Sequence, residues 1–265
     1  MSDSQLEYWR RYWDERAKNT ADATACVRGS SLAMPQAWDN AMYGGLRRLV
    51  GDLSDLSLFD AGCGTGDLLD RLDFRTARQY VGMDLAPTMM ARFAAAHPEP
   101  PCPTELLTGS VTEIPWPDAS CDRVVCISTL HYLAAEQQRQ AMQEMMRILK
   151  PGGRLVMIVK NASSIYAWKS PLDRLKQVAK RLLGRPVAPG HVYQPFAWYK
   201  AQLAALGTVE DAFSLGWWRP TASPHQIRRL AGWEGSLAAS RPTLHRRLAR
   251  FGVESFFSVS KQALP

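Results

Sequence analysis

The sequence predicts an α/β protein built on a doubly wound, mostly parallel sheet. Three observations lead there. Strand and helix signals alternate between about residues 57 and 160, the pattern of βαβ units. A glycine-rich turn, FDAGCGTGDLL (Phe59 to Leu69), follows the first short apolar run. CDRVVCIST is apolar almost throughout, as strands buried on both faces tend to be.

The elements can be justified in chain order. Leu6, Trp9, Trp13 and Ala17 recur every three or four residues and give one apolar helical face. Ser30 to Val50 reads as a second helical segment, with Pro35 in its early turn. SLFDAG is a strand and DLLDRL opens a helix; QYVGMDL is a strand and APTMMARFAAAH a helix; TELLTG and CDRVVCIST are the third and fourth strands. AAEQQRQAMQEMMRILK is a helix ended by Pro151-Gly152-Gly153, and RLVMIVK is the fifth strand. Met142, Met145, Met146 and Leu149 have the spacing of helical core residues. After Lys160 the pattern changes: residues 161–220 are longer than an ordinary crossover and rich in Trp, Tyr and basic residues. A helical stretch from Ser223 to Arg250 and a last strand, VESFFSVSK, complete the chain. The expected organisation is an N-terminal helical lid or cap (1–50), a ligand-binding core (51–160), a helical and aromatic insertion (161–220), and a C-terminal helix and strand that complete the core sheet (221–265).

Composition sets outer bounds. With 265 residues, 46% hydrophobic and 22% charged, the chain can bury a core and is not disordered overall. No apolar run reaches the roughly 18 residues of a spanning helix. The start, MSDSQLEYWRRYWDERAK, shows no apolar h-region and no small-residue cleavage site, so the protein reads as cytoplasmic. Five cysteines without a C-x-x-C pair read as free thiols, and no metal site is expected. A net charge of +7 favours acidic partners only weakly.

The glycine turn narrows the ligand. Its spacing is G-x-G-x-G (Gly62, Gly64, Gly66), not the dinucleotide G-x-G-x-x-G, and Asp60 stands two residues before it. A carboxylate there repels a pyrophosphate, and no lysine follows as a P-loop requires. A ligand with a cationic amine and no phosphate fits better, and S-adenosylmethionine is one. Asp84, ending the second strand 20 residues after Gly64, is placed to accept both ribose hydroxyls. Gly66 reads as a helix–strand packing position.

Four segments in order, LFDAGCGTGDLL, YVGMDLAPTMM, GSVTEIPWPDASCDRVVCISTLHYL and RILKPGGRLVMIV, resemble class I S-adenosylmethionine-dependent methyltransferases of the type 11 kind. The resemblance covers about residues 57–160. It implies a Rossmann-like seven-stranded sheet and S-adenosylmethionine as cofactor. It further implies that Asp60, Gly62, Cys63 and Gly64 line the methionine end, Asp84 holds the ribose, and Met83 and Leu85 flank the adenosine. Ser110 and Val111 stand near the adenine, with Ile114 close by, and Ser128 and Thr129 face the sulfonium and the acceptor. Ser110 occupies a position where many relatives carry an acid; a hydroxyl accepts the adenine amine less strongly than a carboxylate.

Methyl transfer needs alignment and exclusion of water, and a hydroxyl acceptor also needs a base or a hydrogen-bond acceptor. His131, three residues beyond Ser128, is the first candidate; His191 and Tyr193 in GHVYQP follow. The N-terminal YWRRYW is either a mobile lid or a permanently docked helix. In AWKSPLDRLKQVAKRLLGRPV, Leu172, Leu175, Ala179 and Leu182 form an apolar stripe amid six basic residues over 169–185. Such a helix can cap a pocket or make peripheral contact with an anionic membrane; nucleic acid is a weaker candidate partner. Tyr193, Phe196, Trp198, Tyr199, Trp217 and Trp218 suit an apolar or ring-bearing acceptor, since the family builds its acceptor pocket in this insertion. The function expected is methyl transfer to oxygen or nitrogen of a small or lipid-linked biosynthetic acceptor. The alternative is a tRNA-modifying methyltransferase, using the basic balance for phosphate contact.

Overall fold

The computed structural model describes residues 3–20, 36–164, 190–216 and 251–262, with the isolated positions 240, 244 and 248. Seven strands form one sheet: β1 (Ser57–Ala61), β2 (Gln79–Asp84), β3 (Thr104–Thr108), β4 (Cys121–Ile127), β5 (Leu149–Lys160), β6 (Thr208–Leu215) and β7 (Glu254–Ser260). Their order is β3-β2-β1-β4-β5-β7-β6. The pairs from β3 through β5 are parallel, and β7 runs antiparallel to both β5 and β6. Chain order reverses between β1 and β4, which makes their carboxyl ends the switch point where ligands bind. The described helices are α1 (Asp3–Asn19), α2 (Gln36–Val50), α3 (Pro87–Ala96), α4 (Ala135–Ile148) and α5 (Phe196–Leu206), with a 3-10 turn at Leu130–Tyr132. This is the doubly wound, mostly parallel sheet expected.

Apolar sequence explains the core. Leu58, Phe59, Val124, Val125, Val156 and Ile158 are fully buried in the central strands. Both faces of β7 are closed by aromatics: Phe257 stacks on Phe196 of α5 at 5.0 Å and Phe256 on Phe213 of β6 at 4.8 Å. Helix α1 is held against the carboxyl ends of the strands through its own polar residues. Asp14 accepts the Thr88 amide at 3.0 Å, and Gln5 Nε2 donates to the Tyr132 carbonyl at 3.1 Å. Its inward face carries Ala17 and Trp9, both buried; burial of one such large side chain contributes on the order of 3 kcal/mol.

Three elements differ from expectation. DLLDRL, expected to open a helix, forms successive turns, with bonds from the Leu69 amide to the Gly66 carbonyl and from Arg71 to Leu68. Six residues are too few for a stable helix without tertiary support, and the contacts here favour turns. The Tyr43 hydroxyl bonds to Asp67, Arg71 lies over the Tyr43 ring at 4.7 Å, and both Leu68 and Leu69 are buried. Gly66, at φ +88°, has Phe93 of α3 and His97, just after that helix, where a Cβ would stand, at 2.7 and 2.9 Å.

The second difference concerns Pro151-Gly152-Gly153, which does not end α4. The helix stops at Ile148, and the three residues lie inside β5 as an irregularity. Leu149 pairs with Cys121, then the register shifts so that Arg154 pairs with Arg123. Gly152 takes φ +76° and donates to the Lys261 carbonyl at 2.9 Å, so the backbone groups are satisfied across the sheet. Thirdly, residues 208–215, read above as part of the insertion, are the edge strand β6, preceded by α5. The basic amphipathic stretch 169–185, Trp217, Trp218 and most of the 223–250 helix lie outside the described residues. Among the described residues no helix is long and apolar enough to cross a membrane.

Cys63, Cys102, Cys121 and Cys126 are free and buried. Burial, reinforced by the nearby Asp60 carboxylate, pushes the Cys63 thiol up strongly and the Cys126 thiol up to about 12. Since the thiolate is the reactive form, a disulfide reagent at pH 8 is expected to modify none of these four in the native protein. All four should react once it is denatured. Rapid labelling of any of them in the folded protein, located by peptide mass spectrometry, would contradict the burial described.

Candidate active site

A cavity of about 430 Å³ opens at the carboxyl ends of β1, β2 and β4, within the usual range for small-molecule sites. Asp60, Gly62, Cys63, Gly64, Asp84, Leu85, Ser110, Val111, Ser128 and His131 all line it, as does Thr129. The chain brings them together because strand ends are adjacent in the sheet: Asp60 pairs with Gly82 on one side and Val125 on the other. Met83 and Ile114, expected beside the adenosine, are buried core residues outside the lining.

The two acids differ in environment. Asp60 is buried and accepts the Tyr80 hydroxyl at 2.7 Å. Desolvation pushes its carboxyl up to about 7; the Tyr80 bond works against this, and the fields of Asp84 and Asp67 add to it. Asp84 accepts the Gly64 amide at 3.1 Å on one oxygen and the Ala86 amide at 3.0 Å on the other. Its carboxyl is raised too, by burial, against the pull of these amides. The glycine turn is tied to β2: the Gly62 and Cys63 amides both donate to the Met83 carbonyl, at 2.8 and 3.0 Å.

Gly62 is required to be glycine by its neighbour across the turn. Its φ is +88°, and an added Cβ would lie 2.2 Å from Thr129 Oγ1. The space is filled by the loop after β4, not left open for a ligand. Gly64, at φ +56°, presents bare backbone to the cavity. Ser110 does not stand alone either; its hydroxyl shares a 2.7 Å hydrogen bond with Thr112 and accepts the Thr112 amide at 3.2 Å.

His131 sits in the 3-10 turn after β4, buried, with Nδ1 lacking a hydrogen-bond partner among the described residues. Burial, then the fields of His191 and Lys160, push its imidazole well below the ordinary value, so the ring is neutral near pH 7. His191 and Tyr193 do not line the cavity. They pack around His131, with ring centroids 5.0 and 5.7 Å away, and His191 stacks on Trp9 at 5.3 Å. The 190–193 segment is anchored by the Val192 amide, which donates to the His131 carbonyl, and by the Val192 carbonyl, which accepts Gln138 Nε2.

The cavity has contributors that sequence reasoning missed. α2 supplies Met42 and Tyr43, and Asp67, Met89 and Tyr132 also face in. Lys160 and Glu254 close the far side. A signal existed for that pair: each is a charge at the end of an apolar strand. Because β7 is antiparallel, its first residue lies at the same edge as the last residue of β5, and only the topology shows this. Leu6, Trp9 and Trp13 of α1 also line the cavity. Among the described residues no group of three or more His, Cys, Asp or Glu could hold a metal ion.

This sheet order, with a glycine turn and two acids at the switch point, is the Rossmann-like fold of class I methyltransferases. Residues 59–157 match the family described as Methyltransferase domain, and they form a class I S-adenosylmethionine-dependent methyltransferase domain of the type 11 kind. Among curated relatives, the chain is 29% identical over 165 residues to an uncharacterized methyltransferase-like protein of Schizosaccharomyces pombe, covering 60% of this chain and 62% of that protein. It is 30% identical over 151 residues to an uncharacterized methyltransferase of Mycobacterium tuberculosis, covering 57% and 55%. The matches thus span just over half the length of these relatives. The fold is shared with geranyl diphosphate C-methyltransferase from Streptomyces coelicolor A3(2), at a TM-score of 0.62 and 16% identity over 99% of both chains.

S-adenosylmethionine is the cofactor of this domain, and the residues present fit it. Among the described lining residues Asp60, Asp67, Asp84 and Glu254 face a single lysine, Lys160, which is bonded to Glu254. Asp60 has no cation among its described bonds and is destabilised as an anion by burial. A cationic ligand group beside it supplies what the folded chain lacks.

Proposed function

We propose that the protein transfers a methyl group from S-adenosylmethionine to an oxygen or nitrogen of a small or lipid-linked acceptor. The observation that carries this reading is the buried Asp60 carboxylate in a cavity rich in acids, which favours a cationic ligand without phosphate. The bound cofactor supplies an electrophilic methyl on a sulfonium. Asp60 and the Gly64 backbone hold the methionine end, Asp84 takes the ribose hydroxyls, and Leu85, Ser110 and Val111 edge the adenine. Ser128 and Thr129 face the reacting end.

Trp9 and Trp13 exclude water from above, which strengthens each polar contact beneath them. His131, neutral and buried, acts as a hydrogen-bond partner that orients the acceptor. Its lowered basicity makes it a poor store for a proton at neutral pH. His191 and Tyr193 hold the His131 ring in place, acting as positioning residues. From the 161–220 stretch, residues 191–193 back the acceptor side by packing around His131 without lining the cavity.

Calorimetric titration with S-adenosylmethionine and S-adenosylhomocysteine, with NAD as control, tests the reading. Both methionine-derived ligands should bind and NAD should not; binding of NAD alone would overturn it. With an acceptor in hand, His131→Ala is expected to lower kcat at least tenfold while changing S-adenosylhomocysteine affinity less than threefold. Unchanged kcat would reduce His131 to a pocket wall.

A further inference from the structure

Lys160 and Glu254 lie opposite each other in the β5–β7 ladder, and both line the cavity. They come from strands on the side of β4 away from Asp60 and Asp84, because β5 follows β4 in the sheet order and β7 follows β5. The pair therefore borders the part of the cavity beyond the cofactor acids. Glu254 is buried, with 2% of its side chain exposed, whereas about a third of the Lys160 side chain is exposed. Lys160 Nζ donates to Glu254 Oε1, and Oε2 has no hydrogen-bond partner among the described residues.

A buried carboxylate oxygen without a partner is uncommon and calls for an explanation. Neighbouring contacts fix the strand ends, so the pair is not a loose surface contact. Asn161, next to Lys160, donates to the Gly252 carbonyl at 2.9 Å and accepts the Phe196 amide at 3.1 Å. The terminal torsion of a glutamate is soft, so the carboxylate can turn an oxygen to the cavity while keeping Lys160. Lys160 retains two further N–H donors. The pair therefore offers an acceptor and a donor side by side. A hydroxyl, which both donates and accepts, satisfies the two at once; an ammonium can answer only Glu254, and an ether only Lys160.

We infer that Glu254 and Lys160 form the acceptor subsite and select a hydroxylated acceptor, with Glu254 taking the hydroxyl hydrogen bond and Lys160 donating to the same oxygen. This rests on the methyltransferase reading and narrows its acceptor to a hydroxyl compound. Neither residue is a base in this account; they are specificity-determining contacts. His131, on the neighbouring 3-10 turn, feels the Lys160 charge and so stands close to the same subsite.

The test uses the full chain saturated with S-adenosylhomocysteine and two matched probe pairs, catechol with 1,2-dimethoxybenzene and 2-naphthol with 2-methoxynaphthalene. Each hydroxyl probe is expected to bind at least tenfold more tightly than its methyl ether. Glu254→Leu and Lys160→Met should each bring that ratio below threefold, with S-adenosylhomocysteine affinity within threefold of wild type. Equal binding of the two members of both pairs by the wild type, including binding of neither, overturns the inference. So does a tenfold ratio that survives both substitutions. If Glu254→Leu does not fold, as judged by loss of S-adenosylhomocysteine binding, Lys160→Met decides. Failure of the wild type to bind S-adenosylhomocysteine would instead count against the methyltransferase reading itself.

Discussion

Asp60→Asn is expected to stabilise the ligand-free protein at pH 8 while weakening its hold on S-adenosylmethionine. In the folded chain burial lifts the Asp60 carboxyl from its ordinary 3.8 to about 7. Each pH unit of such a displacement is worth about 1.4 kcal/mol, so ionised Asp60 costs about 4 kcal/mol of folding free energy. The sign follows from proton binding. Between pH 3.8 and about 7 the folded state holds a proton that the unfolded chain has released, so stability falls as pH rises through that window. Below it both states are protonated and the penalty vanishes.

Asparagine cannot ionise, and its carbonyl can still accept the Tyr80 hydroxyl. Urea denaturation at pH 4.5 and pH 8 should show the variant gaining on the wild type mainly at the higher pH. Parallel stability curves across that range would remove the argument. The accompanying loss, a rise of at least tenfold in the S-adenosylmethionine Kd at pH 8, would mark Asp60 as a group whose strain serves the ligand.

Gly62→Ala is expected to destabilise the fold by about 3 kcal/mol or more, and Thr129→Gly to return part of that. Two separate penalties act at this position. The φ of +88° lies in the region that only glycine enters freely, worth about 1–2 kcal/mol for an alanine. The new Cβ would also fall 2.2 Å from Thr129 Oγ1, 2.6 Å from Cγ2 and 2.9 Å from Cβ, and overpacking of this kind costs about 1–3 kcal/mol. Thr129→Gly removes all three atoms but leaves the backbone strain. A double-mutant cycle in urea should therefore give a coupling of about 1–3 kcal/mol. Strict additivity would show that Thr129 moves aside freely and that Gly62 is kept for its backbone alone.

Gly62 illustrates how a site can be legible while its reason is not. G-x-G-x-G after a strand located the cavity, and Asp60, Asp84, Ser128 and His131 do meet there. Periodicity, however, carries no information about which neighbour fills the space over a glycine. That neighbour is 67 residues away in sequence, on the loop after β4. The same holds for the helix expected at DLLDRL: its local pattern was helical, but Tyr43, from a helix earlier in the chain, binds Asp67 and supports turns instead. Pro151-Gly152-Gly153 reads locally as a helix stop, yet these residues are accommodated inside β5 by bonds to Lys261 near the C-terminus.

The α/β class, six of the seven strands (all but β6) and the acid pair at the switch point follow from the sequence alone, because apolar strand patterning, strand–helix alternation and glycine spacing are local properties. What tertiary structure decided is the far wall of the cavity. β6 is weakly patterned, with an exposure that mixes faces along its length, so it merged with the surrounding aromatic stretch until its pairing with β7 was seen. The antiparallel entry of β7 then puts Glu254 beside Lys160 at the edge where the parallel strands end. Strand direction is a relation between segments 94 residues apart, and no window of sequence short enough to read by period contains it.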